Sequence, residues 1–221
     1  MMLYHCPMEL PSPASLSRSS FTREVVKALL PVVRGDVIDF GAGMSRYKAW
    51  IMERAKTYTT LDISPFPGID IVADVLNPPV ADASFDTVLS THVIEHVKEP
   101  WVMAGHIARV LRPGGFSIVM APFMYPFHAD PYDFFRFSEQ GLRSLFERAG
   151  LEVLLCAKYG SWLDIQSETL KQKFFSPYKR PHPWWKRRLF GLIETILGAL
   201  NRLFKPGICY TNVVCVARKP N

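Results

Sequence analysis

Three carboxylates, Asp39, Asp62 and Asp74, each stand at or just past the end of a short run of strand-forming residues. The first lies in VIDFGAGMSRY (residues 37–47), where Gly41 and Gly43 follow the strand and a helix could follow them. A strand, a glycine turn and a helix N-terminus let backbone come close to a ligand. Asp62 comes 21 residues after Gly41. A carboxylate after a second strand can accept two hydrogen bonds from a ribose diol. One after a third strand could accept from an exocyclic amine on adenine. Asp39, beside a turn expected to offer free amides, could reach an ammonium group directly or through water.

The glycines alone do not choose the ligand. In the dinucleotide fingerprint G-x-G-x-x-G or A, Gly41 and Gly43 fill the first two places, but the third falls on Arg46. Arginine cannot give the close helix–strand packing needed there. The Gly-Lys-Ser/Thr ending of a phosphate-binding P-loop is absent. A ligand with ammonium, ribose and adenine but no phosphate matches S-adenosylmethionine, and its net positive charge suits acidic neighbours. Singly, each aspartate is as well explained as a loop cap or turn residue. As an ordered set they point to the ligand.

These residues need a scaffold of alternating elements. Residues 19–33 have apolar positions Phe21, Val25, Val26, Leu29 and Leu30 at helical spacing, with Ser19 or Ser20 as cap and Pro31 near the end. Strands are expected at 36–40, 57–63, 68–75, 85–90, 116–123, 151–159 and 209–219, and helices at 45–54, 99–111 and 139–149. Pro113 and Gly114 are expected to stop the second of these helices, and Ser138 to cap the third. Such alternation implies an α/β fold with a mostly parallel sheet covered on both faces. Ligands then sit beyond the carboxyl ends of the strands.

The stretch from residue 36 to about 158 resembles the class I S-adenosylmethionine-dependent methyltransferases, of the small-molecule, methyltransferase type 11-like kind. DFGAGMS is similar to that family's first motif, D/E-x-G-x-G-x-G, with Ser45 in place of the third glycine. LDIS resembles its ribose-binding motif, ADVLNPPVADASFDTVLSTHVIEHV its third and fourth strands, and ARVLRPGGFSIVMAP the run into its fifth. The resemblance implies a Rossmann-like seven-stranded sheet of order 3-2-1-4-5-7-6, with strand 7 antiparallel. It implies that Asp39, Gly41 and Gly43 hold the methionine part, Asp62 the ribose, and Asp74 and Val75 the adenine. Thr91 and His92 would line the pocket near the sulfonium. NPPV at 77–80 looks like the N/D-P-P-aromatic motif of DNA adenine methyltransferases. It precedes the fourth strand and ends in valine, so it reads as a plain loop.

Methyl transfer is an in-line displacement in which protein groups position the partners and remove a proton from the acceptor. His92, His96 and His128 are the candidate bases, and His128 is preferred. It lies in PFMYPFHADPYDFFRFS after the fifth strand, a loop similar to ones in relatives. His96, Tyr132, Asp133 and Arg136 are expected on the acceptor side. The competing reading has His128, Asp133 and Arg136 only fastening this loop. The scattered histidines show no metal-ligand spacing, so no metal is expected.

The 221 residues suggest one domain, 1–221, with a basic insertion at about 160–208. Between 171 and 205, nine basic residues face only Glu194, a net +8, so the remaining chain carries −2 of the overall +6. A generally nucleic-acid-binding surface is therefore not indicated, and RNA is an unlikely partner. The alternatives are a cofactor-binding protein without transferase activity and an RNA methyltransferase that contacts RNA through the basic–aromatic stretch. Within the insertion, a helix over 184–204 would place Trp185, Leu189, Leu192, Ile193, Ile196, Leu200 and Leu203 on one face. Its uncharged pieces, split by Glu194, fall short of the roughly 20 apolar residues a membrane span needs. The face could pack on the domain or on a second subunit of a homodimer, or lie in a membrane interface. The last would suit a lipid-linked rather than a soluble small-molecule acceptor. The four cysteines, three in strand-like stretches, form no CxxC pair, and no signal peptide is visible at the start. A cytoplasmic protein, at the inner face of the membrane if the helix binds lipid, is the expectation.

Overall fold

A computed structural model of the chain describes residues 10–128, 131–175, 183–201 and 209–221. The strands are β1 (Gly35–Phe40), β2 (Ala55–Asp62), β3 (Ile71–Val72), β4 (Phe85–Thr91), β5 (Leu111–Pro122), β6 (Glu152–Tyr159) and β7 (Asn212–Arg218). They form one sheet of order β3-β2-β1-β4-β5-β7-β6. Neighbours are parallel except β7, which runs antiparallel to β5 and β6. Order and reversed strand are those the sequence reading expects.

In β1 the side chains Val37, Ile38, Asp39 and Phe40 are all buried, because helices cover both faces of the sheet. Ile38 and Phe40 join the core of α4 (Pro100–Val110) and α5 (Glu139–Arg148), with Met103, Ile107 and Phe146. Val37 faces the other way, onto Leu16 of α1 (Pro13–Leu16) and Val25 and Leu29 of α2 (Thr22–Leu29). Burying a side chain of this size is worth about 1.5–3 kcal/mol. The same alternation turns Asp39 toward the α2 side. Asp39 pairs in register with Thr60, so Tyr58 and Asp62, two residues either way along β2, share its face.

Several boundaries differ from expectation for local reasons. Ser45 adopts a left-handed φ of +49°, so the helix expected from 45 shrinks to α3 (Lys48–Ile51). Helix α4 ends at Val110, because Leu111 is already extended and pairs with Phe85. Gly114, at φ +73°, is therefore a bend inside β5 whose amide bonds the Lys219 carbonyl, not a helix cap. Ser138 does cap α5, its hydroxyl accepting from the Gly141 amide. The third strand has only two residues. Cys156 and Cys215 are free and face each other across β6 and β7, but Cys209 lies outside a strand; Cys6 lies outside the described residues.

Between β6 and β7 stand α6 (Trp162–Phe175) and α7 (Trp184–Asn201). The sequence reading did not place α6, although Ser161 and Asp164 mark its start. The Ser161 hydroxyl accepts from the Leu163 amide and the Asp164 carboxylate from the Ser161 amide. On α7, Trp185, Leu189, Leu192, Ile193, Ile196 and Leu200 are all exposed. This face is thus largely open to solvent in the described residues. Leu203 and Phe204 lie outside the described residues. Among the described residues no helix is long and apolar enough to cross a membrane.

Candidate active site

The turn after β1 is shaped by its glycines. Gly41 has φ +72°, and a Cβ there would stand 2.3 Å from a Val93 methyl, so only glycine fits. Gly43 also has positive φ, but a Cβ there would meet nothing within 4 Å, so the turn is open on that side. The amides are not free, against expectation. Those of Gly41 and Ala42 donate to the Leu61 carbonyl at 2.8 and 3.1 Å, and that of Gly43 to Asp62 Oδ2 at 2.8 Å. The turn therefore offers shape and carboxylates.

Asp62, at the end of β2, receives the Ser64 amide on its other oxygen at 2.8 Å. Each oxygen keeps lone-pair capacity for a second donor. Asp39 is 3% exposed. The Tyr58 hydroxyl donates to its Oδ2, while Oδ1 is buried without a hydrogen-bond partner. Burial pushes the Asp39 carboxyl up to about 7, the Asp62 charge adds to this, and the Tyr58 bond opposes it. Burial likewise drives the Tyr58 hydroxyl upward, helped by Asp39.

Asp74 is exposed two residues past β3, its Oδ1 accepting from the Leu76 amide at 2.8 Å. Val75 beside it is buried in the core. Thr91 closes β4 opposite Met120 of β5. His92 follows in a left-handed turn, φ +56°, with its amide on the Met120 carbonyl. Its Nε2 lies 3.0 Å from the Thr22 hydroxyl and 3.4 Å from that of Tyr159.

Past His92 the chain makes a single 3₁₀ turn, Ile94–His96. The loop after β5 is tied to it. The amides of Phe134 and Phe135 donate to the Glu95 carbonyl at 2.8 and 3.2 Å, and His96 Nδ1 bonds the Tyr132 carbonyl. The Tyr132 side chain itself is exposed. Asp133 accepts the His128 amide at 2.9 Å and forks with the Arg136 guanidinium. Those Arg136 bonds, ahead of the His128 amide, hold the Asp133 carboxyl down to about 2. Arg136 also reaches the carbonyls of Tyr125, Pro126 and Phe135. Asp133 and Arg136 thus fasten the loop. His128 Nδ1 lies 3.2 Å from the Pro126 carbonyl, and burial lowers the imidazole below its ordinary value.

The sequence reading missed Glu95. Its side chain is fully buried and neither oxygen has a hydrogen-bond partner. Three imidazoles surround Oε1: His92 Nδ1 at 3.6 Å, His96 Nε2 at 3.9 Å and His128 Nε2 at 4.0 Å. The signal was an acidic residue directly before His96 in VIEHV, in a stretch otherwise apolar. Missed as well was Tyr58, which holds Asp39.

A methyltransferase domain family matches residues 38–119, from β1 to the middle of β5. Over 93 residues the chain is 31% identical to an uncharacterized methyltransferase of Mycobacterium sp. (strain KMS), covering 38% of this chain and 37% of the relative. The chain therefore spans little over a third of that relative's length. Among solved structures, one chain of the complex of the Haloferax volcanii Trm112 methyltransferase activator with a methyltransferase superposes with a TM-score of 0.60 at 23% identity. It covers 90% of this chain and 89% of that one. Phosphoethanolamine N-methyltransferase 2 of Haemonchus contortus, in complex with S-adenosyl-L-methionine, gives 0.56 at 16% identity over 90% of this chain and 52% of its own. At such identities the structures speak for the fold. Over residues 38–119 the chain thus matches the methyltransferase domain family, and its seven-stranded sheet has the Rossmann-like fold of the S-adenosylmethionine-dependent methyltransferase structures it superposes on.

Proposed function

We propose that the protein transfers a methyl group from S-adenosylmethionine to a small-molecule or lipid-linked acceptor. The observation that carries this is the meeting of Asp39 and Asp62 at the turn whose Gly43 side is open. Those residues fit the cofactor: two carboxylates, one with an orphaned buried oxygen, suit a cation bearing a ribose diol. When bound, S-adenosylmethionine supplies an activated methyl group on its sulfonium. Asp62 would accept the ribose hydroxyls while it stays tied to Gly43 and Ser64. Asp39 would hold the ammonium group. Asp74 would take the adenine edge, backed by Val75, and Thr91 and His92 would wall the pocket near the reacting centre. Titration with S-adenosylmethionine and, in parallel, NADH tests this reading. Binding of the first alone supports it, and binding of neither by folded protein overturns it.

On the acceptor side His96 and Tyr132 stand at the rim, Asp133 and Arg136 hold the loop behind them, and His128 offers its Nε2 to the acceptor's proton. His128→Ala and His128→Gln are expected to lower turnover on the order of tenfold to a hundredfold at unchanged cofactor affinity. Unchanged turnover would remove His128 from the chemistry.

The exposed apolar side chains of α7 favour the lipid-linked form of this reading. An aromatic start at Trp184 and Trp185, an apolar face and flanking cations suit a helix lying in a membrane interface. The Tyr125 hydroxyl donates to Glu168 of α6 at 3.0 Å, so the insertion also touches the loop that carries His128. The protein is then expected to pellet with vesicles containing anionic lipid and to stay in solution with neutral ones. Equal pelleting of a variant with Leu189, Leu192 and Ile196 all changed to serine would count against the membrane contact, and with it the placement at the inner face of a membrane. A dimer through the same face would appear as a doubled mass in solution.

A further inference from the structure

We propose that Glu95, His96 and His128 form a binding site for a divalent first-row transition ion on the acceptor side of the pocket. One ligand atom from each lies within 4.8 Å of the other two. Sequence spacing hides the set, because 33 residues separate His128 from Glu95. The loop after β5 brings them together.

Two independent features point to an ion. The first is Glu95, whose buried carboxylate has no hydrogen-bond donor on either oxygen. A buried carboxylate is costly unless it is paired or coordinates a metal. The second is the way both imidazoles are turned. His96 Nδ1 bonds the Tyr132 carbonyl and His128 Nδ1 the Pro126 carbonyl. A carbonyl only accepts, so each Nδ1 carries the hydrogen and each neutral ring keeps its lone pair on Nε2. Both lone pairs face Glu95 Oε1, at 3.9 and 4.0 Å. Backbone carbonyls on the outer nitrogen are the usual support of metal-binding histidines. Ligands about 2.1 Å from an ion sit roughly 3.0–3.4 Å from each other, so the two contacts to Glu95 must close by about 0.5–1 Å and the widest pair by up to about 1.8 Å to complete the site.

Two imidazoles and one carboxylate suit zinc, iron(II), manganese or cobalt better than magnesium or calcium. Three protein ligands leave coordination positions open. Given the methyl-transfer reading, on which this last step rests, an oxygen donor of the acceptor would fill one of them. With the ion bound, His128 Nε2 is a ligand, and the proton-accepting role given to it above belongs to the ion-free protein.

The test strips the protein with a chelator and titrates it with zinc and with cobalt(II). One ion per chain is expected, with visible absorption bands for cobalt. Glu95→Gln, which keeps the side-chain shape, and His128→Gln are each expected to weaken binding at least tenfold. Circular dichroism checks that both fold. Folded wild type that binds neither ion would overturn the proposal, as would equal affinity in both variants, and a histidinium would then be the partner of Glu95. S-adenosylmethionine is titrated on the same stripped samples. Metal binding without cofactor binding sinks the methyl-transfer reading alone, and the reverse sinks the metal site alone.

Discussion

Asp62→Ala is expected to weaken S-adenosylmethionine binding roughly a thousandfold, or about 4 kcal/mol. Two losses add. The ribose hydroxyls lose an ionised acceptor, worth about 1.5–3 kcal/mol for charge-assisted bonds. The Gly43 amide also loses the oxygen that pins it at 2.8 Å, and the Ser64 amide its partner. The turn that shapes the cofactor side is then no longer held in one geometry. Asp62→Asn separates the two contributions in part. Its one oxygen can keep one amide, but its NH₂ would face the other amide donor. An intermediate loss of about ten- to a hundredfold is expected. Calorimetry on both variants, with thermal unfolding to confirm the fold, checks this. Wild-type affinity in Asp62→Ala would mean that the cofactor's sugar lies elsewhere.

Why Asp62 could be singled out from sequence alone, and Glu95 could not, has a physical basis. Strand ends are written locally: a continuous apolar run ends just past Asp39 and an alternating β-branched one at Asp62, while alternation with helices gives the α/β class and the family resemblance the sheet order. What local pattern cannot carry is how a turn satisfies its own amides. Gly41 and Ala42 bond the Leu61 carbonyl on the next strand, a contact across some twenty residues of chain. Ser45 and Gly114 failed for a related reason. Serine gives no warning of a left-handed φ, and a Pro-Gly pair that would cap a helix can equally bend a strand paired with β4 and β7. Helix α6 has weak amphipathy in sequence but a readable Ser161–Asp164 start. Glu95 is legible only in three dimensions, since its meaning comes from imidazoles delivered by two different loops.

Asp39 makes the second strong prediction, because its burial sets a pH range. In the cofactor-free protein its carboxyl titrates near 7. The groups facing it are Tyr58, which donates to it, Asp62, whose charge opposes its ionisation, and Tyr47 beside the turn. A cationic ligand favours the ionised form. Affinity for S-adenosylmethionine is therefore expected to rise by up to tenfold per unit from pH 5 to pH 7, then to level off. Above about pH 8 the ligand's own α-amino group begins to lose its charge. Asp39→Asn should flatten the rise and leave affinity near pH 8 about a hundredfold below wild type. The same shift acts on stability with a defined sign. The folded value, about 7, lies above the ordinary carboxylate value of 3.8, so between those limits the folded state binds more protons than the unfolded. Unfolding free energy should fall by about 2–4 kcal/mol as pH rises from 4 to 8, and Asp39→Asn should remove that slope. Asp133, held near 2, acts in a separate window, its contribution being lost only as pH falls below 4. Denaturant unfolding at pH 5 and pH 8, wild type against variant, reads the difference directly. Equal slopes would mean that Asp39 is already ionised in the folded protein over this range.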